Sequence, residues 1–324
     1  MMRKISLIKN KKAQMFTLVA IALILLMFLS VDVYSYMRQK EVIKNRVKSM
    51  DSFMAALENN LERQAQISGF RILFLGISRT SQTGEYLTNF NSFVNEAFFS
   101  GTVNGAPEFL MIGATRDALI ESVREKALKI NANVTMENTQ INITQKDPWT
   151  VKIVISSDFV LKDLQGLAEW RKRQNITSYV SIEGFEDPLY IKSTVGKLGA
   201  PIKNEKIKKT PYDGEYCVGG DRSNLSDHYR GGYYAPNPNA PSFLNRLQGN
   251  LSANENGIES FVITDELEAQ RVATDKFDDI PYDETRIDYL YFNETANVPG
   301  VTVAPLTSAF RIDVAHGPKY NLSI

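Results

Sequence analysis

AQMFTLVAIALILLMFLSV, residues 13–31, is a run of nineteen residues without a charge. A helix rises about 1.5 Å per residue, so the run spans about 28 Å, close to the hydrocarbon thickness of a bilayer. Arg3, Lys4, Lys9, Lys11 and Lys12 precede it with no acid among them, and Asp32 follows directly. Basic flanks stay cytoplasmic, so the pattern predicts a single-pass anchor in the cell membrane, with the N-terminus inside and the rest of the chain outside. A cleaved secretory signal has a shorter apolar region and a small-x-small cleavage site, which SVDVYSY does not offer. A buried core helix has no need of so long an uncharged run beside a basic cluster.

Working outward, no Pro or Gly occurs between Gln14 and Ser68. These 55 residues would reach about 82 Å as one helix. Beyond the apolar run, Tyr36, Ile43, Val47, Met50, Met54, Leu57 and Leu61 recur at steps of three, four or seven, and charged residues fill the other faces. That is one apolar stripe on a polar rod. It predicts either a helix packed on its own domain or a seam shared with other chains.

KKAQMFTLVAIALILLMF, residues 11–28, resembles the start of archaeal type IV pilin-like surface proteins. Such proteins have a basic leader, a small residue and a Gln-led apolar helix running on into an ectodomain. The resemblance implies that a membrane peptidase recognises Lys11, Lys12 and Ala13 and leaves Gln14 as the new N-terminus. It also implies that the helix packs with other pilin-like subunits in a surface filament. Where that family usually carries a glutamate, five residues into the processed chain, this sequence has Leu18.

Asn-x-Ser/Thr sequons occur at Asn133, Asn142, Asn175, Asn224, Asn250, Asn293 and Asn321, and none occurs in residues 1–132. Residues 101–324 hold seventeen Asn. If Ser or Thr follows at roughly one in eight, about two sequons are expected by chance. The excess lies in the half placed outside the membrane, and marks these asparagines as glycosylation candidates of a glycoprotein ectodomain.

The predicted fold class is α+β. The chain divides into a basic leader (1–12), a transmembrane helix (13–31), an amphipathic extension (32–68), an α+β ectodomain with an antiparallel sheet (69–200), a linker (201–212) and a loop-rich β or α+β region (213–324). In the first ectodomain unit Thr115 caps a helix through about Ile130, and strands run over Val134–Thr144, Trp149–Leu161 and about Trp170–Ile182. The lysine- and proline-rich PIKNEKIKKTPY reads as the solvated linker. Beyond it, Phe261–Ile263, Tyr289–Phe292, Val301–Val303 and Phe310–Val314 read as short strands.

The residue inventory narrows the chemistry. The net charge of zero combines a basic tip with −5 over the remainder, which leaves no broad basic face for nucleic acid. Cys217 is the only cysteine, so intrachain disulfides and CxxC sites are excluded. With only His228 and His316, and no GxSxG, multi-histidine zinc sites and a serine triad are disfavoured, and no catalytic residue is assigned. No nucleotide-binding glycine loop is present, and no cofactor is expected beyond a weak Ca²⁺ candidate. That candidate is the acidic stretch with Asp275, Asp278, Asp279 and Asp283, against the alternative of a solvated connector. Tyr229, Tyr233 and Tyr234, on a Gly/Pro/Asn-rich loop, are candidates for stacking on a sugar or partner, against the alternative that they cover a small core.

These readings predict a non-enzymatic, pilin-like, membrane-anchored surface protein with structural, adhesive or assembly contacts. Its expected partners are membrane lipid and other subunits. A tethered extracellular binding or sensory module for a solute or glycan is the alternative, and a tethered hydrolase using a carboxylate pair is the third reading.

Overall fold

The computed structural model describes residues 11–205, 215–272, 285–293, 300–302, 306 and 310–322. Its first element, α1, runs without interruption from Lys11 to Thr83. At 73 residues it is about 110 Å long. The absence of Pro and the late first Gly, Gly69, leave nothing to break it earlier. From Gln14 to Asn45 every residue except half-buried Ala20 is exposed, so this part of α1 is left uncovered by the described chain.

Contact with the folded domain begins at Arg46. Its Nε donates to Asp163 and its Nη2 donates to the Asn131 carbonyl at 2.6 Å, which ties the helix to two loops. Below it Met50, Met54, Leu57, Leu61, Ala65 and Ile72 are buried in the main core. The amphipathic stripe therefore divides. Its lower half packs on the chain's own domain, while Tyr36, Ile43 and Val47 stay exposed.

The remaining elements follow in order. They are α2 (Phe90–Ser100), the short ladder of β1 (Thr102–Val103) and β2 (Ala106–Pro107), and α3 (Arg116–Leu128). Thr115 caps α3 as expected, accepting from the Ala118 N–H. Then β3 (Ala132–Asp147), β4 (Thr150–Asp163) and β5 (Glu169–Ser181) form an antiparallel sheet in that order. Val134 pairs with Leu161, Ile143 with Ile153, and Ile155 with Ile176, so one face is apolar and packs toward α1 and α3.

In β3 the apolar phase changes from Val134 and Met136 to Ile141 and Ile143. A bulge absorbs the extra residue. Asn138 and Thr139 oppose the single Ser157, and Asn138 takes φ +50°. Asn133, Asn142 and Asn175 share the opposite, polar face.

α1 meets the sheet at very close range at Gly69, where an added Cβ would lie 2.5 Å from Ile153 Cγ1. Ile153 is itself wholly buried.

The C-terminal part consists mainly of short helices: α4 (Pro188–Ser193), α5 (Ser223–Gly231), α6 (Phe243–Leu247), α7 (Thr264–Ala269) and α8 (Asp288–Tyr291). Two small ladders accompany them, β6 (Ala235–Pro236) with β7 (Ile258–Glu259), and β8 (Gly300–Thr302) with β9 (Arg311–Asp313). The strands expected near residues 301 and 311 are present. Tyr289–Phe292, expected as a strand, is α8 and its cap instead. A four-residue apolar run does not distinguish the two by periodicity, and Asp288 in the first turn suits a helix N-terminus.

At the start of the expected linker the chain is not solvated throughout. Ile202 is wholly buried, its N–H and carbonyl bond Phe185 and Gly184, and Glu205 pairs with Tyr234. Residues 206–212 lie outside the described residues. The main core takes in Tyr234, Phe243, Leu247, Ile258 and Tyr291 together with α1 and the sheet. A second cluster around Phe261, Phe310 and Tyr320 lies wholly in the C-terminal part, Leu189 of α4 included.

Gly69→Ala should therefore destabilise the fold by about 1–3 kcal/mol through overpacking, although Ala is the better helix former. Ile153→Val should recover part of the loss in the double variant. Denaturant unfolding of the detergent-solubilised chain measures both, and an unchanged or raised stability for Gly69→Ala would contradict the close approach.

Candidate functional site

Three places concentrate chemistry: two buried ionic clusters in the C-terminal part, and the surface of α1. The first cluster is built on Arg246, in the last turn of α6 and wholly buried. Its Nη1 donates to Asp187 Oδ2 at 2.6 Å and to Asp288 Oδ2 at 2.7 Å. Its Nη2 donates to Asp288 Oδ1 at 3.2 Å and to the Ile258 carbonyl, and its Nε to the Pro241 carbonyl at 3.5 Å. All five guanidinium N–H groups are thereby used.

The acceptors are positioned by secondary structure. Asp187 is the N-cap of α4 and also accepts from Tyr234 Oη at 2.8 Å, and Asp288 opens α8 and accepts from Ser260 Oγ at 3.0 Å. Burial opposes the Arg246 charge, but the two carboxylates win and raise its pKa, while burial raises that of Asp288. The cluster joins α4, α6, β7 and α8 with its hydrogen-bonding capacity spent inside the protein. It is a structural knot.

The second cluster centres on His316 and wholly buried Glu259. His316 Nδ1 bonds Asp313 at 2.8 Å, and Nε2 lies 3.3 Å from Glu259 and 3.1 Å from Tyr289 Oη. Glu259 also accepts from Lys319 Nζ at 2.6 Å, from Tyr320 Oη at 2.8 Å and from Asn237. Burial disfavours the imidazolium, but the hydrogen bonds to Asp313 and Glu259 dominate and push His316 up to about 9. Burial likewise works against the Glu259 charge, yet His316 and Lys319 hold it down at about 2. With both ring nitrogens carrying protons, His316 has no lone pair to act as a base near neutral pH. The arrangement clasps the C-terminal turn to β6 and β7.

His228 behaves oppositely. It sits among Tyr216, Tyr233, Phe261 and Tyr320, and neither ring nitrogen has a hydrogen-bond partner among the described residues. Burial holds it at about 4, so it packs as a neutral ring.

The expected recognition loop is corrected in part. Tyr229 is 4% exposed and packs edge-on against Phe310, and Tyr234 is 1% exposed and spends its hydroxyl on Asp187. Only Tyr233 keeps partial exposure. The loop folds inward because the aromatic rings gain more by covering the small second core than by facing water. Asp275, Asp278, Asp279 and Asp283 lie outside the described residues. Asp288, at the end of that acidic stretch, is committed to Arg246. Among the described residues no group of three His, Cys, Asp or Glu side chains is arranged to hold a metal.

The sequon asparagines that the sequence marks all keep surface exposure. Asn142, Asn175, Asn250 and Asn321 are exposed, while Asn133, Asn224 and Asn293 are half-buried. Lys12, Ala13 and Gln14, expected as the processing stretch, lie in the first turn of α1.

The third place is α1. Over its apolar part the mean hydropathy reaches 2.6 and none of the window is buried, so this one helix is long and apolar enough to cross a membrane. Lower down, α1, the segment after α2 and β5 enclose a groove of about 560 Å³ lined by Ile67, Phe70, Phe74, Leu110 and Val180. Phe70 and Phe74 are 47% and 43% exposed there.

Arg246→Met would leave Asp187 and Asp288 buried without their counter-charge. It should cost about 3–5 kcal/mol in denaturant unfolding, and Arg246→Lys, with three donors in place of five, should not restore it.

The His316 cluster predicts a pH profile. The folded chain keeps His316 protonated up to about 9, against an ordinary 6.5, so its contribution is complete below 6.5 and is lost as pH rises through about 9. Glu259, ordinarily 4.5, contributes fully above that value and loses its contribution as pH falls toward about 2. The melting temperature should decline from pH 6.5 to 9, and His316→Asn should flatten that decline. A wild-type profile level across this range would contradict the assignment.

Comparison with protein-family models, characterised proteins and solved structures returned no match.

Proposed function

We propose that this chain is a membrane-anchored, pilin-like surface protein, single-pass and with its C-terminal mass outside the cell. Its ectodomain supplies structural, adhesive or assembly contacts. The observation that carries this reading is the bare part of α1. An apolar face of this length has no cover among the described residues, and water would penalise it heavily. A bilayer, or a bundle of like helices, removes that penalty. The five basic residues before the run and Asp32 after it support the outward orientation. The surface placement of the sequons is compatible with a glycosylated outer domain, and the processing and filament entry that the resemblance implies are part of the same proposal.

A second reading has one observation in its favour. The groove beside Phe70 and Phe74 is apolar, open and large enough for a small ligand or a peptide side chain. It supports a tethered binding module.

Alkaline carbonate washing of membranes should leave the chain in the pellet, and protease added outside intact cells should remove the ectodomain while sparing the apolar helix. A chain released by the wash, or protected from the protease in intact cells, would overturn the proposal. Mass spectrometry of the N-terminus should find Gln14 if the leader is processed. An intact Met1 would remove the pilin-type processing and leave the anchor.

A further inference from the structure

Between the apolar run and the ectodomain, α1 has a stalk, Asp32–Ser49, with two features that no described part of the chain uses. The first is apolar. Tyr36, Ile43 and Val47 prolong the seam that Met50, Met54, Leu57 and Leu61 bury, yet they are 67%, 42% and 49% exposed. The second is ionic. Lys40, Lys44 and Lys48 stand four residues apart on one helix face, all exposed. The ridge flanks the seam, with Lys44 about 60° around the helix from Val47. Like charges at this spacing disfavour the helix that carries them. Among the described residues no acid, Glu41 and Asp51 included, comes within ion-pair distance of the three lysines. Over the whole stalk five basic residues stand against Asp32 and Glu41.

We propose that the stalk is the docking site of an amphipathic helix from a different chain, one that carries Asp or Glu beside its own apolar stripe. This rests on the membrane-anchored reading and names the partner's chemistry. The seam offers a strip continuous with the packed interface below it, and the lysine ridge selects the sign of the flanking charge. A second copy fits poorly. Insertion in the same membrane sets two copies parallel, and across a parallel seam each lysine ridge would face Gln39 and Arg46 of the other copy, where no acid meets it. Lipid headgroups also fit poorly. Lys44 and Lys48 are about 18 and 24 Å along the helix from Asp32, beyond the headgroup layer and the Debye length of about 8 Å, so lipid reaches Lys40 at most.

The test places a photo-reactive amino acid at Val47 of the full chain, in the membrane of the cell that makes it. The expected product is an adduct with a different chain, whose cross-linked peptide has an acidic residue within one turn of the attachment point. In the Lys40→Glu/Lys44→Glu/Lys48→Glu variant the yield should fall at least about 5-fold, and the corresponding Arg variant should keep it. An adduct with the chain's own sequence, with lipid alone, or none at all would overturn the inference. Carbonate washing of the same sample separates the failures. Release from the membrane overturns the anchored reading itself, whereas a retained chain without a foreign adduct overturns only the docking site.

Discussion

The fold depends on how one helix distributes a single apolar seam. From Met50 downward the seam lies against the sheet and is sealed there by the close passage of Gly69 over Ile153. From Val47 upward the same seam leaves the domain, and above Asp32 it widens into a helix apolar on every side. A rigid rod buried at one end must project at the other, because nothing between Lys11 and Thr83 lets it bend back. The folded domain is therefore held at a fixed distance from the apolar segment, and Arg46, bonded to Asp163 and Asn131, marks where rod becomes core.

The folded domain solves a different problem. Its C-terminal part has little regular sheet and no disulfide, so burial of aromatic rings and two ionic clusters hold the loops together. Arg246 ties its own helix to three other elements with one side chain, and Glu259 with His316 closes the C-terminal turn over β7. Both clusters are satisfied from within, so they act on stability. Among the described residues, the stalk and the groove beside Phe70 both leave apolar side chains of α1 exposed.

Much of this was legible in order along the chain. The uncharged run, the absence of Pro and Gly, the Thr115 cap and the three long alternating strands are local signals, set by side chains within one element. The strand limits agree closely because alternation survives on both sides of the Asn138 bulge, although the bulge itself appears only as a phase change between Met136 and Ile141. The C-terminal part was legible less well. Tyr289–Phe292 folds as a helix, Ile202 is buried rather than solvated, and Tyr229 and Tyr234 turn inward.

The amino-acid sequence by itself determined the apolar helical segment, the length of the rod and the antiparallel sheet, because each depends on the periodicity of neighbouring residues and on the solvent that periodicity prefers. Only the tertiary structure decided where the amphipathic stripe stops being covered, since that depends on how far the domain extends along the helix. It alone brought Arg246 to Asp187 and Asp288, and His316 to Glu259. Those partners lie 59, 42 and 57 residues apart in the chain, and charge pairing across such separations leaves no spacing to read.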